Sequence, residues 1–303
     1  MNRKQFYAQI TESILQKLEE GIVPWKKGWS AGIPQNFISR RVYRGVNFIS
    51  LLSKDFPSPY YLSYLQCKKK NGRILPGAKG IPIIYFSVEE RTVDPEGKCE
   101  VERLPLMRIS HIFNLSQTTL YEDESPKLRL PSCEEVLSNI LNRHSVDIRE
   151  NHYRCYYSAK EDYISLPKIA DFKSGAEEYY SSLYHEIIHW TGHKSRLNRI
   201  SSLSDISDLS LEELTAEIGS SFLAGMSGII KTTFENQNAY IRSWYSKIRE
   251  DPQILFTAAA KASEAVEFLL EQNESSFGFE LKTGNLPGSL YIITLLFLKT
   301  FTP

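Results

Sequence analysis

Two histidines four residues apart, with a glutamate beside the first, stand in an apolar stretch of the second half of the chain: Leu183-Tyr184-His185-Glu186-Ile187-Ile188-His189-Trp190. On a helix, residues i and i+4 lie one turn apart on the same face, so both imidazoles can reach one metal ion. H-E-x-x-H is the pattern of zinc hydrolases, in which the glutamate takes a proton from the attacking water. The chemistry predicted is peptide hydrolysis at a zinc ion held by His185 and His189, with Glu186 as general base. The pattern fixes only two residue types and recurs by accident, so the rest of the chain must support it. One support is local: three of the six histidines fall within nine residues, at 185, 189 and 193.

A catalytic zinc site takes three protein ligands and keeps a fourth position open. Downstream, Glu212-Glu213-Leu214-Thr215-Ala216-Glu217 places Glu213 and Glu217 on one face of a predicted helix. This resembles the gluzincin arrangement, in which a later helix gives one glutamate to the metal and an acidic residue one turn on supports a histidine. By that resemblance Glu213 is the third ligand and Glu217 orients a histidine through its other ring nitrogen. Spacing alone leaves the reverse assignment, with Glu217 on the metal, open. The longer metzincin pattern, H-E-x-x-H-x-x-G-x-x-H, is met at Gly192 but fails at its last position, Ser195. His193 comes two residues early and is assigned to the helix end or the substrate side.

The elements that must hold these residues follow from periodicity. Helices are predicted at about 176–191, 210–226, 235–249 and 252–272, with a shorter one at 132–143 capped by Ser132. Two short strands are expected at 154–158 and 162–166. The first half opens with an amphipathic helix over 4–20, on which Phe6, Ile10, Ile14, Leu15 and Leu18 recur at helical spacing before Gly21. Irregular, aromatic and basic segments follow at 24–29 and 34–47. Basic turns are expected at 68–72 and 76–80, and strands at 81–88 and 106–115, with a hairpin turn near 94–97. The acidic stretch Glu122-Asp123-Glu124-Ser125-Pro126 reads as a linker. The predicted division is therefore a domain over 1–124 and a second over 130–303.

The formal net charge is zero, but it is unevenly spread. Residues 1–88 carry 14 Lys+Arg against 4 Asp+Glu, a net of +10, together with 13 aromatic residues. Interleaved cations and rings suit single-stranded nucleic acid, whose phosphates meet Lys and Arg while bases stack on rings. The candidates are Lys26, Lys27, Arg40, Arg41, Arg44, Lys68, Lys69, Lys70, Arg73 and Lys79 for phosphates, and Trp25, Trp29 and Tyr43 for stacking. For any one ring, a place in the core is the competing reading. Cys67, Cys99, Cys133 and Cys155 form no C-x-x-C pair, which fits reduced thiols in a cytoplasmic protein. No apolar region follows the basic N-terminus as in a signal peptide. The apolar run Tyr291–Leu298 is too short to span a bilayer, so no membrane association is expected.

These motifs together resemble the ArdC-type antirestriction proteins of conjugative plasmids and phages, over nearly the whole chain. In the first half the likeness rests on Pro24-Trp25-Lys26-Lys27-Gly28-Trp29, Tyr43-Arg44-Gly45-Val46-Asn47 and Ile112-Phe113-Asn114-Leu115-Ser116-Gln117. In the second it rests on His185 to His193 with Arg196-Leu197, on Glu212 to Gly219, and on the helix around Ala258-Ala259-Ala260-Lys261-Ala262-Ser263-Glu264-Ala265. The likeness extends to the N-terminal part of some plasmid primases. It implies a small mixed α/β domain that binds single-stranded DNA, followed by a mainly helical zincin-like metallopeptidase domain, an α+β chain overall. It implies protection of incoming DNA from restriction, with the peptidase acting on DNA-associated proteins. The rival expectation is a non-catalytic protein that coats single strands and whose zinc site is structural or vestigial. Glu186 argues for the enzyme, because a purely structural site has no use for it.

Overall fold

A computed structural model describes residues 2–26, 32–52, 54, 56–93, 100–122, 130–151, 153–200, 206–229 and 237–270. The expected hairpin turn near 94–97, most of the acidic linker, Cys99 and the apolar run 291–298 lie outside them. The fold is mixed α/β, with a sheet in the N-terminal region and a mainly helical C-terminal region. Its contacts group residues 1–82 and 111–271 into one compact unit. The described part of the other unit is residues 83–93 and 100–110, which belong to two long strands. Contacts thus join residues on both sides of position 124 within one unit.

The first helix, α1 (Arg3–Glu19), begins at a capping box in which Asn2 and Gln5 exchange side-chain and backbone hydrogen bonds of 2.9 Å. Its buried stripe is Phe6, Ile10, Ile14 and Leu18. Thr11 is buried with this stripe, whereas Leu15, expected in it, is only half-buried. Then come β1 (Gln35–Asn36), α2 (Gly45–Leu52), β2 (Tyr60–Ser63), α3 (Tyr64–Lys69), β3 (Ile81–Val93) and β4 (Glu100–Asn114). They form a sheet in the order β1-β2-β4-β3, with β1 parallel and β4 antiparallel to β2, and Tyr61 opposite Asn114. The lysine run expected as a turn is instead the end of α3: Ser63 and Gln66 form a capping box, and the turn follows at Asn71, whose φ is 61°.

The C-terminal region begins with α4 (Cys133–Leu141), capped by Ser132 as expected. A three-stranded sheet follows, β5 (Asp147–Glu150), β6 (Tyr156–Ser158) and β7 (Tyr163–Leu166), in the order β5-β7-β6. The last four helices are α5 (Ala176–Thr191), α6 (Ile206–Met226), α7 (Gln237–Glu250) and α8 (Gln253–Leu270). Helix α6 is central. It packs on α5 and α8, and every residue from Leu214 to Gly225 is buried. Such a helix must be apolar or small-sided almost all round. Gly219 is one reason it can approach α5: a Cβ there would lie 2.8 Å from Cδ1 and 3.0 Å from Cγ1 of Ile188.

The N-terminal residues are built into this helical core. Helix α1 packs on α7, and α2 packs on α8. The backbone N–H of Gly45 donates to Ser263 Oγ over 2.8 Å, and Arg44 pairs with Glu267 over 2.6 Å. Two motifs 218 residues apart in the chain, around Gly45 and around Ser263, are therefore halves of one helix–helix contact.

Candidate functional site

Helix α5 carries His185 and His189 on one face, as the four-residue spacing requires. Their Nε2 atoms are 3.1 Å apart. Helix α6 brings Glu213 across from them, with carboxylate oxygens 3.5 Å from His185 Nε2 and 3.6 Å from His189 Nε2. Ligand atoms about 2.0–2.1 Å from a tetrahedral zinc stand about 3.3 Å from each other. The three separations bracket that edge, so two imidazoles and one carboxylate fit a single divalent ion with one side left open. They form the one such group found among the described residues. The hydrogen bond from His185, outweighing burial, holds the Glu213 carboxyl below its usual range.

Glu186, next to His185 on α5, is 8% exposed. Burial pushes its carboxyl up to about 7, and the nearby Glu213 charge adds to that. The charge of His189 and the backbone N–H of Tyr157, on β6, act in the opposite direction. A carboxyl group with this value can give and take a proton near neutrality.

The residue that fixes His189 is Glu212, not Glu217. His189 Nδ1 lies 3.1 Å from Glu212 Oε1, and Glu212 is 4% exposed. Burial alone would raise the Glu212 carboxyl, but hydrogen bonds from His189 and Arg199 bring it below its usual range. An ionised carboxylate only accepts, so His189 donates from Nδ1; in the neutral ring this leaves the Nε2 lone pair as the one that could ligate a metal ion. Glu217 is one turn further into the core and accepts a hydrogen bond from the Tyr240 hydroxyl. The reason is helical: residues 212 and 217 are five apart, so they leave α6 in different directions, and 212 faces the back of His189. The sequence offered a signal for Glu212, since it is half of a Glu-Glu pair in a buried helix. It offered none for Arg199, which reaches the site from a loop.

His193 ends α5. Its Nδ1 lies 2.7 Å from Ser195 Oγ and 4.0 Å from Asp162 Oδ2. Arg196 stacks on Trp190, with its guanidinium carbon 3.8 Å from the ring centroid, and donates to Asp162 over 2.9 Å. That pair holds the β6–β7 turn against the end of α5. It keeps the Asp162 carboxyl down at about 2, first through the Arg196 hydrogen bond.

The predicted nucleic-acid residues divide into several kinds. Trp25 is fully buried: its ring meets Trp244 edge to face, its indole N–H donates to Tyr240, and its carbonyl accepts from Ser221. It is a core residue and cannot stack on a base, which corrects the expectation for this ring. Tyr43 is half-buried, edge to face with Tyr61, with its hydroxyl accepting from Asn36. Arg44 is held by Glu267. Arg40, Arg41, Lys68, Lys69, Lys70, Arg73 and Lys79 are exposed. The side chain of Lys26, and the residues Lys27 and Trp29, lie outside the described residues. Sequence reasoning missed Tyr64 and Leu65, which open α3 and are 57% and 67% exposed. Cys67 of the same helix joins Leu62 and Leu115 in a small core, against which Phe37 and Ile74 pack. That core ties α3 to the segments bearing Arg40 and Arg73.

Fold and site define a zincin-like metallopeptidase domain joined to an N-terminal sheet region. Residues 135–261 match the family described as zincin-like metallopeptidase, and residues 4–113 match the N-terminal domain of anti-restriction factor ArdC. The crystal structure of the antirestriction protein ArdC of plasmid R388, metal-free, shares 32% identity and a TM-score of 0.71. The alignment covers 90% of this chain and 99% of that one. The Mn(II)-bound structure of the same protein gives 33% and 0.70. This chain belongs to the ArdC antirestriction family. It is also 32% identical over 291 residues to the DNA primase TraC of Escherichia coli, covering 88% of this chain and 27% of that protein. It thus spans about a quarter of the primase. To the uncharacterized protein y4eC of Sinorhizobium fredii it is 27% identical over 290 residues, covering 93% of that protein.

Proposed function

We propose that this protein is a zinc-dependent peptidase that works on single-stranded DNA and protects entering DNA from restriction. The observation that carries the peptidase reading is the convergence of His185, His189 and Glu213 on one point, with Glu186 buried beside them. The Mn(II) bound to the R388 relative supports a divalent ion at this donor set. Two imidazoles and a carboxylate are a donor set of zinc peptidases. When bound, the ion supplies Lewis acidity toward the scissile carbonyl and the attacking water. Glu186 accepts the proton of that water and returns it to the departing nitrogen. Strand β6 pairs only with β7 among the described residues, so its other edge, next to Glu186, suits a peptide in extended form. Glu217 serves from below, holding α6 to Tyr240.

The DNA reading rests on the family's N-terminal domain and on the exposed set Arg40, Arg41, Lys68, Lys69, Lys70, Arg73 and Lys79 beside the uncovered Tyr64. The same DNA would bring the peptidase to proteins bound there.

The test is zinc analysis and proteolysis of DNA-bound protein substrates, with and without single-stranded DNA. Glu186→Gln is expected to keep zinc and DNA binding while kcat/KM falls by about 10²–10⁴ or more. Full hydrolysis by Glu186→Gln would refute the assignment of the base. Equal protection of DNA by wild type and variant would instead favour a coating protein whose metal is structural.

A further inference from the structure

Arg199 is 6% exposed and stands between the His185–His193 and Glu212–Gly219 motifs, in neither. Its Nε donates to Glu212 Oε2 and its Nη2 to Glu212 Oε1, both over 3.0 Å. Its Nη1 donates to Thr191 Oγ1 over 3.0 Å, and Nη2 also reaches the carbonyl of Ile188 over 2.7 Å. One guanidinium thus grips both oxygens of the carboxylate that holds His189 and two groups in the last turn of α5, the helix that carries His189. The loop is shaped for this. The backbone N–H groups of Arg199 and Ile200 both donate to the carbonyl of Gly192, over 2.8 and 2.9 Å. A Cβ on Gly192 would stand 3.0 Å from Arg199 Nη2 and 2.9 Å from Ile200 Cγ1, so a glycine is required for the loop to fold back this closely.

A buried ion pair is a poor device for stability alone, since desolvating both charges offsets most of their attraction. It is a good device for geometry. Glu212 Oε1 accepts from both Arg199 and His189, so the guanidinium fork leaves the carboxylate no freedom to rotate away from the imidazole.

We infer that Arg199 is a positioning residue of the metal centre, clamping Glu212 so that His189 keeps Nε2 aimed at the ion. This rests on the metal-site reading above, and the two can be separated by experiment. Zinc affinity is measured by competition with a chromophoric chelator, and site geometry by the visible absorption of the Co(II)-loaded protein. The proteins are wild type, Arg199→Lys, Glu212→Gln and the double variant Arg199→Met with Glu212→Gln. Lysine keeps the charge but not the fork. Each single change is expected to weaken zinc binding by about 10–100-fold and to alter the Co(II) bands, with the far-UV spectrum unchanged. The double variant leaves no unpaired buried charge, so it reports affinity even where a single variant unfolds. It is expected to bind zinc more weakly than wild type, and no more weakly than the worse single variant, because both residues act through one link. Wild-type affinity and bands in Arg199→Lys, or in the double variant, overturn the inference and leave the metal site standing. A wild type that binds no divalent ion overturns the site, and the inference with it.

Discussion

Behind His189, between α5 and α6, the charges of Glu212 and Arg199 are buried and aimed at one another, while Glu213 in front of the histidines is exposed. Around α3, charged residues are exposed and directed at solvent. Glu212, Arg199 and Glu186 are each less than a tenth exposed, and each has a definite partner: an imidazole, a carboxylate, a backbone N–H. Lys68, Lys69 and Lys70 stand free of the core, on a helix whose only buried residue is Cys67. Aromatic residues show the reverse. In the basic region the rings of Trp25, Phe48 and Tyr61 are core, while Tyr64 and the half-covered Tyr60 remain near the cations. The contrast separates two kinds of inference. A metal site needs buried, pre-oriented charge, and a fixed spacing on a helix goes far toward specifying it. A phosphate-binding face needs exposed charge, and composition identifies its sign without saying which ring lies over which core.

That difference also explains what was legible in the sequence. The i, i+4 histidines and the later glutamate pair led to His185, His189 and Glu213 because helical geometry is short-range and regular. The five main C-terminal helices were readable for the same reason. Short elements such as α2, α3 and β5 were not, since four to eight residues give too little periodicity to distinguish helix from strand. Trp25 was misassigned because its partners, Trp244, Tyr240 and Ser221, are about 200 residues away in the chain. Glu212 was overlooked in favour of Glu217 because the gluzincin pattern describes spacing along α6, whereas the choice depends on how α6 is rotated against α5. Arg199 reaches the site through a loop, where no period applies.

The contrast can be broken where it is sharpest, at Trp25. If it is core, Trp25→Ala lowers unfolding free energy by about 3–5 kcal/mol, seen as a fall in the denaturant midpoint, and affects metal and DNA binding only through folding. A stable variant with weakened DNA binding would return Trp25 to the nucleic-acid face.

Gly219 tests the closeness of the two helices that carry the candidate ligands. Gly219→Ala brings a methyl within 2.8 Å of Cδ1, 3.0 Å of Cγ1 and 3.2 Å of Cγ2 of Ile188, a side chain that is itself fully buried and has little room to move aside. The expected cost is about 1–3 kcal/mol, with zinc affinity reduced as Glu213 is moved away from the histidines. Alanine should act on both quantities together; a variant that loses stability but keeps wild-type zinc affinity would show that the site does not depend on that approach.

The exposed side of the comparison is tested by salt. Replacing Lys68, Lys69 and Lys70 together with alanine should leave stability within about 0.5 kcal/mol per site. It should flatten the slope of log affinity for single-stranded DNA against log salt by about 2, at about 0.7 per lost phosphate contact. An unchanged slope would place the DNA elsewhere on the protein.

Arg44 and Arg40 sharpen the boundary between the two regimes, with the smallest effect. Both lie in the basic segment and both look like phosphate ligands in the sequence. Arg44 is committed to Glu267, 2.6 Å away, and each side chain is about one-third exposed. Arg40 lies exposed over the Tyr60 ring, 4.2 Å from its centroid, in a backbone conformation with φ of 59°. A partly solvated ion pair contributes about 0.2–1 kcal/mol, so Arg44→Ala should lower stability by no more than that and leave DNA affinity unchanged at low salt. Arg40→Ala should do the opposite, with little change in stability but loss of one phosphate contact and a slope smaller by about 0.7. Titration of a labelled oligonucleotide at several salt concentrations distinguishes them. Equal slopes for the two variants would mean that pairing with Glu267 does not withdraw Arg44 from DNA, and that burial is a weaker guide to this face than the contrast with α5 and α6 implies.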